Sequence, residues 1–370
     1  MNQIDNRLAQ IQSRWDELIG CVHDPALFEG LAADLAKRWF AYFFTLPNRP
    51  EKRPSLRSHV LALYDPFAPR SVFPAGIRFS CNTYVGCALQ CAYCYIQTYF
   101  ENPLIAPHAK QKFAERLEKD FRELEELNLP AIPLHFSNST DALQETLEKR
   151  HQNTFYLLQR LAQGEHRRFQ PIRMLTRNPA LLLRREYLDL LLEIKNKVTV
   201  QVSIPILDPN AGHFYEPNVP SSSMRLQAIY KLRSQGIPIS FRIDPLFPRD
   251  PLPKEIFGET ALTGFDVLPA QTEMDLRYLV QAAAQCGCQS IVISALKIPR
   301  NLSSRNQRLM KGWLAFYQSL AAAHPKLNSR NYLRLPHEYQ HGELVYPILD
   351  EAERWGIIVE HCKNNLIHAR

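Results

Sequence analysis

The chain has 370 residues, 45% apolar and 22% charged, which is enough to bury a large core and too apolar for a disordered polymer. No stretch approaches the roughly eighteen uncharged apolar residues of a membrane span. The start, MNQIDNRLAQIQSRWDELIG, lacks the basic-then-apolar layout of a secretory leader. A cytoplasmic protein with no membrane partner is therefore predicted. The formal charge of +7 and pI of about 8.9 leave room for an anionic partner such as nucleic acid. The pairs Arg167-Arg168 and Arg184-Arg185, however, fall in helix-like stretches with acids nearby and read as solvated faces.

Apolar Leu8, Ile11, Trp15 and Leu18 recur at helical spacing within 5–44, and Pro47, Pro50 and Pro54 then mark an irregular connection. Residues 76–80 read as a short strand leading into a group of cysteines. Beyond it, strand-like runs at 131–136, 172–176, 198–204, 237–243 and 289–294 alternate with helix-like segments at 109–128, 146–163, 180–195, 222–235 and 272–286. Alternation of this kind predicts the α/β class, with a parallel sheet, helices outside it, and an open or closed βα barrel.

Residues 245–269 hold five prolines and three phenylalanines without periodicity, as a lid over the barrel mouth or as packing. Helix-like segments follow at 305–322 and 343–355, and 357–359 could close a sheet edge. The predicted division is an N-terminal helical extension and connection at 1–75, a barrel at 76–300 and a C-terminal α/β extension at 301–370.

Barrel chemistry collects at the C-terminal ends of the strands. Those ends here carry Cys87 to Cys94, Ser137-Asn138-Ser139-Thr140-Asp141, Thr176-Arg177-Asn178, Ser203, and Arg242 with Asp244. Of eight cysteines, only Cys87, Cys91 and Cys94 are grouped, as C-x3-C-x2-C; a long chain without export signals uses such a group for metal rather than disulfides. Spacing alone fits either an iron–sulfur cluster with one open iron or structural zinc with Cys81 as a fourth ligand. Zinc knuckles usually pair two C-x2-C hooks, whereas this is one asymmetric triplet ahead of a barrel.

The stretch Gly86-Cys87-Ala88-Leu89-Gln90-Cys91-Ala92-Tyr93-Cys94-Tyr95 resembles the defining motif of the radical S-adenosylmethionine (SAM) superfamily, down to the aromatic before the last cysteine. Tyr93-Cys94-Tyr95, Gln97-Thr98, Ser139-Thr140-Asp141, Leu175-Thr176-Arg177, Val202-Ser203 and Glu216-Pro217 with Arg225-Leu226 are similar to the spore photoproduct lyase family and its uncharacterised relatives. The likeness covers roughly 76–245.

It implies a partial (βα)6 radical SAM barrel and a [4Fe-4S] cluster held by Cys87, Cys91 and Cys94, with SAM on the fourth iron. It also implies an electron donor of flavodoxin or ferredoxin type, and a 5′-deoxyadenosyl radical that abstracts hydrogen from a substrate. Ser139, Thr140, Arg177 and Ser203 then become SAM contacts, and Tyr93 and Tyr95 a hydrogen-transfer pair. Arg177 replaces the family's lysine. Asn138 stands where the lyases carry the cysteine that returns a hydrogen atom, and asparagine cannot do so. The expected activity is accordingly radical SAM chemistry on an unassigned substrate, with photolesion repair and a non-catalytic zinc or iron–sulfur nucleic-acid-binding protein as the alternatives.

Overall fold

A computed structural model describes Trp39 and residues 59–64, 78–96, 106–127, 131–268, 271–327 and 332–361. The helix expected over 5–44 lies outside them save for Trp39, as do Gln97, Thr98 and Cys362. The strands, in chain order, are β1 (Leu61–Tyr64), β2 (Arg78–Cys81), β3 (Tyr84–Val85), β4 (His108–Ala109), β5 (Ile132–Phe136), β6 (Phe169–Thr176), β7 (Val198–Ser203), β8 (Ile239–Leu246), β9 (Ser290–Ala295), β10 (Ile298–Pro299), β11 (Tyr332–Leu333) and β12 (Ile358–His361). Eight form one sheet in the order β1-β2-β5-β6-β7-β8-β9-β12, parallel throughout except at β1. The α/β class and the mostly parallel sheet are as the sequence predicts.

Side chains alternate across each strand. One face carries Leu134, Phe136, Ile172, Met174, Val200, Val202, Phe241, Ile291 and Ile293, all buried. The other carries Ser80, His135, Arg173, Gln201, Ser240 and Arg242; the register sets Ser80 opposite His135, His135 opposite Arg173, and Gln201 opposite Ser240. Four strand steps separate β6 from β12, roughly 19 Å across a flat sheet. Yet Arg173 of β6 lies 3.5 Å from Glu360 of β12. Only a sheet curled toward closure brings them together, with the polar face inside.

Several elements differ from expectation. The helix predicted over 146–163 is two, Glu145–His151 and Asn153–Ala162, separated by Gln152 in a left-handed conformation. The cause is tertiary. Buried Glu148 accepts the hydroxyls of Tyr84 and Tyr187 and the Thr154 N–H at 2.7 Å, which draws the chain out of the helical path. The helix predicted over 305–322 is likewise Ser304–Leu309 and Lys311–Ala323.

Residues 245–268 serve as packing. Phe247, Leu252, Phe257 and Leu262 are buried, Phe257 stacks edge-on against Tyr339 at 4.8 Å, and Trp313 donates to the Leu268 carbonyl at 3.0 Å. Gly312 allows the closest approach, since a Cβ there would lie 2.3 Å from the Phe265 carbonyl oxygen.

Both extensions contribute to the sheet, through β1 at one edge and β12 at the other. β1 is tied down by Asp120, fully buried on the helix Phe113–Leu127, which accepts the N–H groups of Val60 and Leu61 at 2.8 Å each and pairs with His59 at 2.6 Å. Trp39 donates to Glu123 on the same helix at 2.8 Å. Asp120→Ala would orphan two buried N–H groups and the imidazole. A loss of about 2–4 kcal/mol is expected, read as an unchanged denaturant slope with a lower urea midpoint.

Candidate active site

The cysteine loop leaves β2 and passes over the C-terminal ends of the neighbouring strands. Two residues in left-handed conformation, Gly86 (φ 71°) and Gln90 (φ 51°), let it fold back on itself. The turn is closed by Cys94 N–H on the Cys91 carbonyl at 3.2 Å. Groups from two other segments, 140–144 and 215–218, hold it. Gln144 accepts Ala88 N–H at 2.7 Å and donates to Thr140 Oγ1 at 2.8 Å; Thr140 in turn donates to the Gly86 carbonyl at 2.6 Å. Asn218 Nδ2 donates to the Ala88 carbonyl at 2.9 Å, and Ala92 N–H to the Tyr215 carbonyl at 2.8 Å.

Cys91 is buried, and Cys87 and Cys94 are partly so. Burial pushes the Cys87 thiol up to about 12 against the N–H groups of Leu89 and Asp141, which hydrogen-bond its sulfur. Cys91 and Cys94 are raised by burial too, and the Arg177 cation opposes the rise at both. Cys81 belongs elsewhere. It is fully buried on β2, its thiol is raised by burial to about 12, and the charges that act on it are Lys110 and Asp120. The loop thus offers three thiols, backbone N–H donors to their sulfurs and an adjacent cation, a donor set that suits an iron–sulfur cluster. Among the described residues no three His, Cys, Asp or Glu side chains draw together as tightly as one bound ion requires, whereas a cluster takes each thiolate on a different iron.

Beneath the loop lies Glu216. It accepts the Tyr93 hydroxyl on Oε1 and an Arg225 N–H on Oε2 at 2.7 Å, with Arg177 Nε 3.8 Å away. Arg225 is 2% exposed and also donates to the Ser203 carbonyl at 2.6 Å. Burial pushes Glu216 up, but Arg225, Arg177 and the Tyr93 hydroxyl outweigh it and hold the carboxyl below the usual range. The Arg177 guanidinium stands 5.5 Å over the Tyr93 ring and donates to the Asp244 carbonyl at 3.0 Å. Ser203 Oγ donates to that carbonyl at 3.2 Å. Asp141 ties two strand ends together by accepting Thr176 Oγ1 at 2.9 Å and Arg177 N–H at 2.6 Å.

Ser139, Thr140, Arg177 and Ser203 therefore surround one strand-end rim, with different commitments. The Thr140 hydroxyl proton is spent on the loop, Ser203 is pinned to Asp244, and Ser139 is fixed through its N–H on Asn82 Oδ1 at 2.9 Å. The two tyrosines part company. Tyr93 is buried, whereas Tyr95 is 37% exposed and donates to the Asn138 carbonyl. Asn138 Oδ1 accepts Ser80 Oγ at 2.7 Å. Cys286 and Cys288 precede β9, at the N-terminal end of the sheet, and Cys286 Sγ donates to the Leu226 carbonyl at 3.6 Å. About 20 Å of strand separates them from the rim, so neither substitutes as a hydrogen donor. Glu216 and Arg225 stand in the quoted likeness without a role, and Gln144 has no local signal at all.

The chain shares its fold with spore photoproduct lyase. It is similar to an alanine variant of spore photoproduct lyase, at 15% identity over 91% of this chain and 96% of that one, with a TM-score of 0.52. Another variant of the lyase, with bound AdoMet and dinucleoside spore photoproduct, is similar at 13% identity over 90% of this chain and 95% of that one, with a TM-score of 0.51. An uncharacterized protein, ORF301, of Acidianus two-tailed virus is 32% identical over 69 residues, which are 19% of this chain and 23% of the viral protein. No family model matches the chain. No helix among the described residues is long and apolar enough to cross a membrane.

Glu216→Ala is expected to cost about 3–5 kcal/mol, because Arg225 would keep a buried charge without its partner. The pH dependence has a definite sign. The folded-state pKa lies below the unfolded one, so the carboxylate's contribution is complete above the ordinary carboxylate range and is lost as pH falls toward the folded value. The gap in melting temperature between the parent and Glu216→Ala should therefore be wide at neutral pH and narrow in acid.

Proposed function

We propose that this chain is a cytoplasmic radical SAM enzyme in which Cys87, Cys91 and Cys94 hold a [4Fe-4S] cluster and a substrate hydrogen atom is abstracted at the barrel mouth. The observation that carries this is the three-cysteine loop lying over the strand ends of a fold shared with spore photoproduct lyase. Cys87, Cys91 and Cys94 would hold the cluster, which would supply the electron for reductive cleavage of SAM to methionine and a 5′-deoxyadenosyl radical. A flavodoxin- or ferredoxin-type protein is the proposed source of that electron. Arg177 meets the SAM carboxylate, its guanidinium having only one close hydrogen bond, to the Asp244 carbonyl, among the contacts described above. Ser139 offers a hydroxyl at the mouth, while Thr140 and Ser203 position the loop and the Asp244 turn. Tyr95 presents its phenol to the mouth; Tyr93 orients Glu216 and Arg177.

Anaerobically reconstituted protein should bind about four irons and release 5′-deoxyadenosine when reduced with SAM. Alanine at Cys87, Cys91 or Cys94 should abolish both, and alanine at Cys81 neither. Iron retained in the triple alanine variant, or zinc alone in protein made with iron available, would sink the proposal. Arg177→Ala should weaken SAM binding by about 1.5–3 kcal/mol in an anaerobic titration.

Photolesion repair is the second reading, favoured by the shared fold and opposed by Asn138. A synthetic spore photoproduct dinucleotide should give little or no thymine by mass, even where SAM is cleaved. Multiple-turnover conversion would put repair first.

A further inference from the structure

Charge is spread unevenly along the chain. Residues 276–337 hold nine Lys and Arg and no Asp or Glu, which exceeds the whole formal charge of +7 and leaves the rest slightly acidic. Arg277 is taken up by Glu273 and Asp350, and Arg300 is engaged as well. Others are not. Arg308 and Lys311 are exposed, Lys297 is half-buried, and none of the three makes an ion pair among the described residues. Arg305 meets only neutral oxygens, the Gln90 carbonyl at 3.4 Å and Asn306 Oδ1 at 3.3 Å. The antiparallel register of β10 and β11, continued by one residue, sets exposed Arg334 opposite Lys297, again without an ion pair among the described residues. One neighbouring acid, Asp266, whose backbone carbonyl lies against Gly312, is outweighed by these cations.

The same run is a third segment that holds the cysteine loop. Gln90, between Cys87 and Cys91, is exposed, and its carbonyl accepts the Arg305 N–H. Asn306 is buried and donates from Nδ2 to the Cys91 carbonyl at 3.5 Å. Both belong to the helix Ser304–Leu309, capped by Ser303 Oγ, which accepts Asn306 N–H at 3.3 Å. Arg308 stands three residues on from Arg305, on the same side of that helix, and Lys311 opens the next. Unpaired cations therefore flank a point where the loop between two of the proposed ligands reaches solvent. Such a charge steers an oppositely charged partner to the place where an electron has the shortest way in. No aromatic residue lies within 297–311, so the bases of a single strand would find nothing there to stack on.

We propose that Arg305, Arg308 and Lys311 form the docking surface of an acidic one-electron carrier protein, which delivers its electron to the cluster by way of Gln90 and Cys91. One electron leaves the reduced carrier and one enters the cluster, with no bond or proton exchanged. The surface rests on the radical SAM reading. Oxidised flavodoxin and a [2Fe-2S] ferredoxin, both of net negative charge, are titrated separately by calorimetry into the anaerobically reconstituted full-length chain, into Arg308→Glu/Lys311→Glu and into Arg308→Ala/Lys311→Ala. Each titration is run at low and at physiological ionic strength. Release of 5′-deoxyadenosine is followed with the reduced carrier and, separately, with dithionite.

At least one carrier should bind the parent, more weakly at the higher salt. Charge reversal should weaken binding about tenfold or more and the alanine pair less, with a shallower salt dependence in both. Release driven by the carrier should fall in step, while release driven by dithionite should match the parent. Should the reversed variant fail to fold, the alanine pair carries the comparison. If neither carrier binds the parent, or if the variants bind it like the parent, the surface is refuted. It is refuted equally by an oligonucleotide whose affinity falls in the variants while the carrier's does not. Dithionite-driven release in the parent confines those failures to the surface; its absence would overturn the proposed function and this proposal with it.

Discussion

The arrangement of the barrel mouth depends on one buried carboxylate. Glu216 receives Tyr93 from the cysteine loop, Arg225 from the helix Ser222–Ser234, and the nearby charge of Arg177 from the end of β6. A carboxylate taken out of water is costly unless its oxygens are occupied, and truncating any partner exposes the remainder to that cost. Three separate segments are thereby held in one relation. The same interaction that stabilises the mouth sets the distance between the thiols and the cation beside them, so packing and chemistry share a determinant here.

The sequence made the frame legible because its periodicities are local. Alternating β-branched strands and helices in 131–295 fall within a few residues of the observed elements, and the triplet Cys87, Cys91 and Cys94 lies in one loop where its close spacing stands out, although spacing alone does not choose between iron–sulfur and zinc. What sequence could not supply are the long-range ties. Gln144 is an ordinary polar residue until the fold sets it against Ala88 and Thr140, and Glu148 breaks a helix only because Tyr84 and Tyr187 arrive from elsewhere. Thr140 shows the same limit. The family likeness makes it a SAM contact, but its hydroxyl proton is committed to Gly86, a fact that exists only in three dimensions.

The two faces of the sheet explain why such a large polar set survives inside the fold. The outer face buries Leu134, Met174, Val200 and Phe241 under the helices, and this apolar burial supplies the driving force at roughly 25 cal/mol per Å². The inner face is thus free to be polar. Curvature then collects residues that are far apart along the sheet, as Arg173 and Glu360 illustrate. The C-terminal extension is part of that interior, since Glu360 comes from β12.

Sharing a fold with spore photoproduct lyase does not carry over its reaction, because a reaction belongs to side chains at a site. Asn138, which the sequence likeness sets where the lyases carry the returning thiol, has its side chain engaged by Ser80 and its carbonyl by Tyr95. Cys81 is sealed within the core, and Cys286 and Cys288 sit at the opposite end of the strands. Tyr93, although on the cysteine loop, keeps its hydroxyl on Glu216. Among the described residues, Tyr95 thus presents an exposed phenol at the mouth, where no thiol stands other than the three proposed ligands. That lack of a thiol donor at the mouth, among the described residues, separates the proposed chemistry from lesion repair on physical grounds.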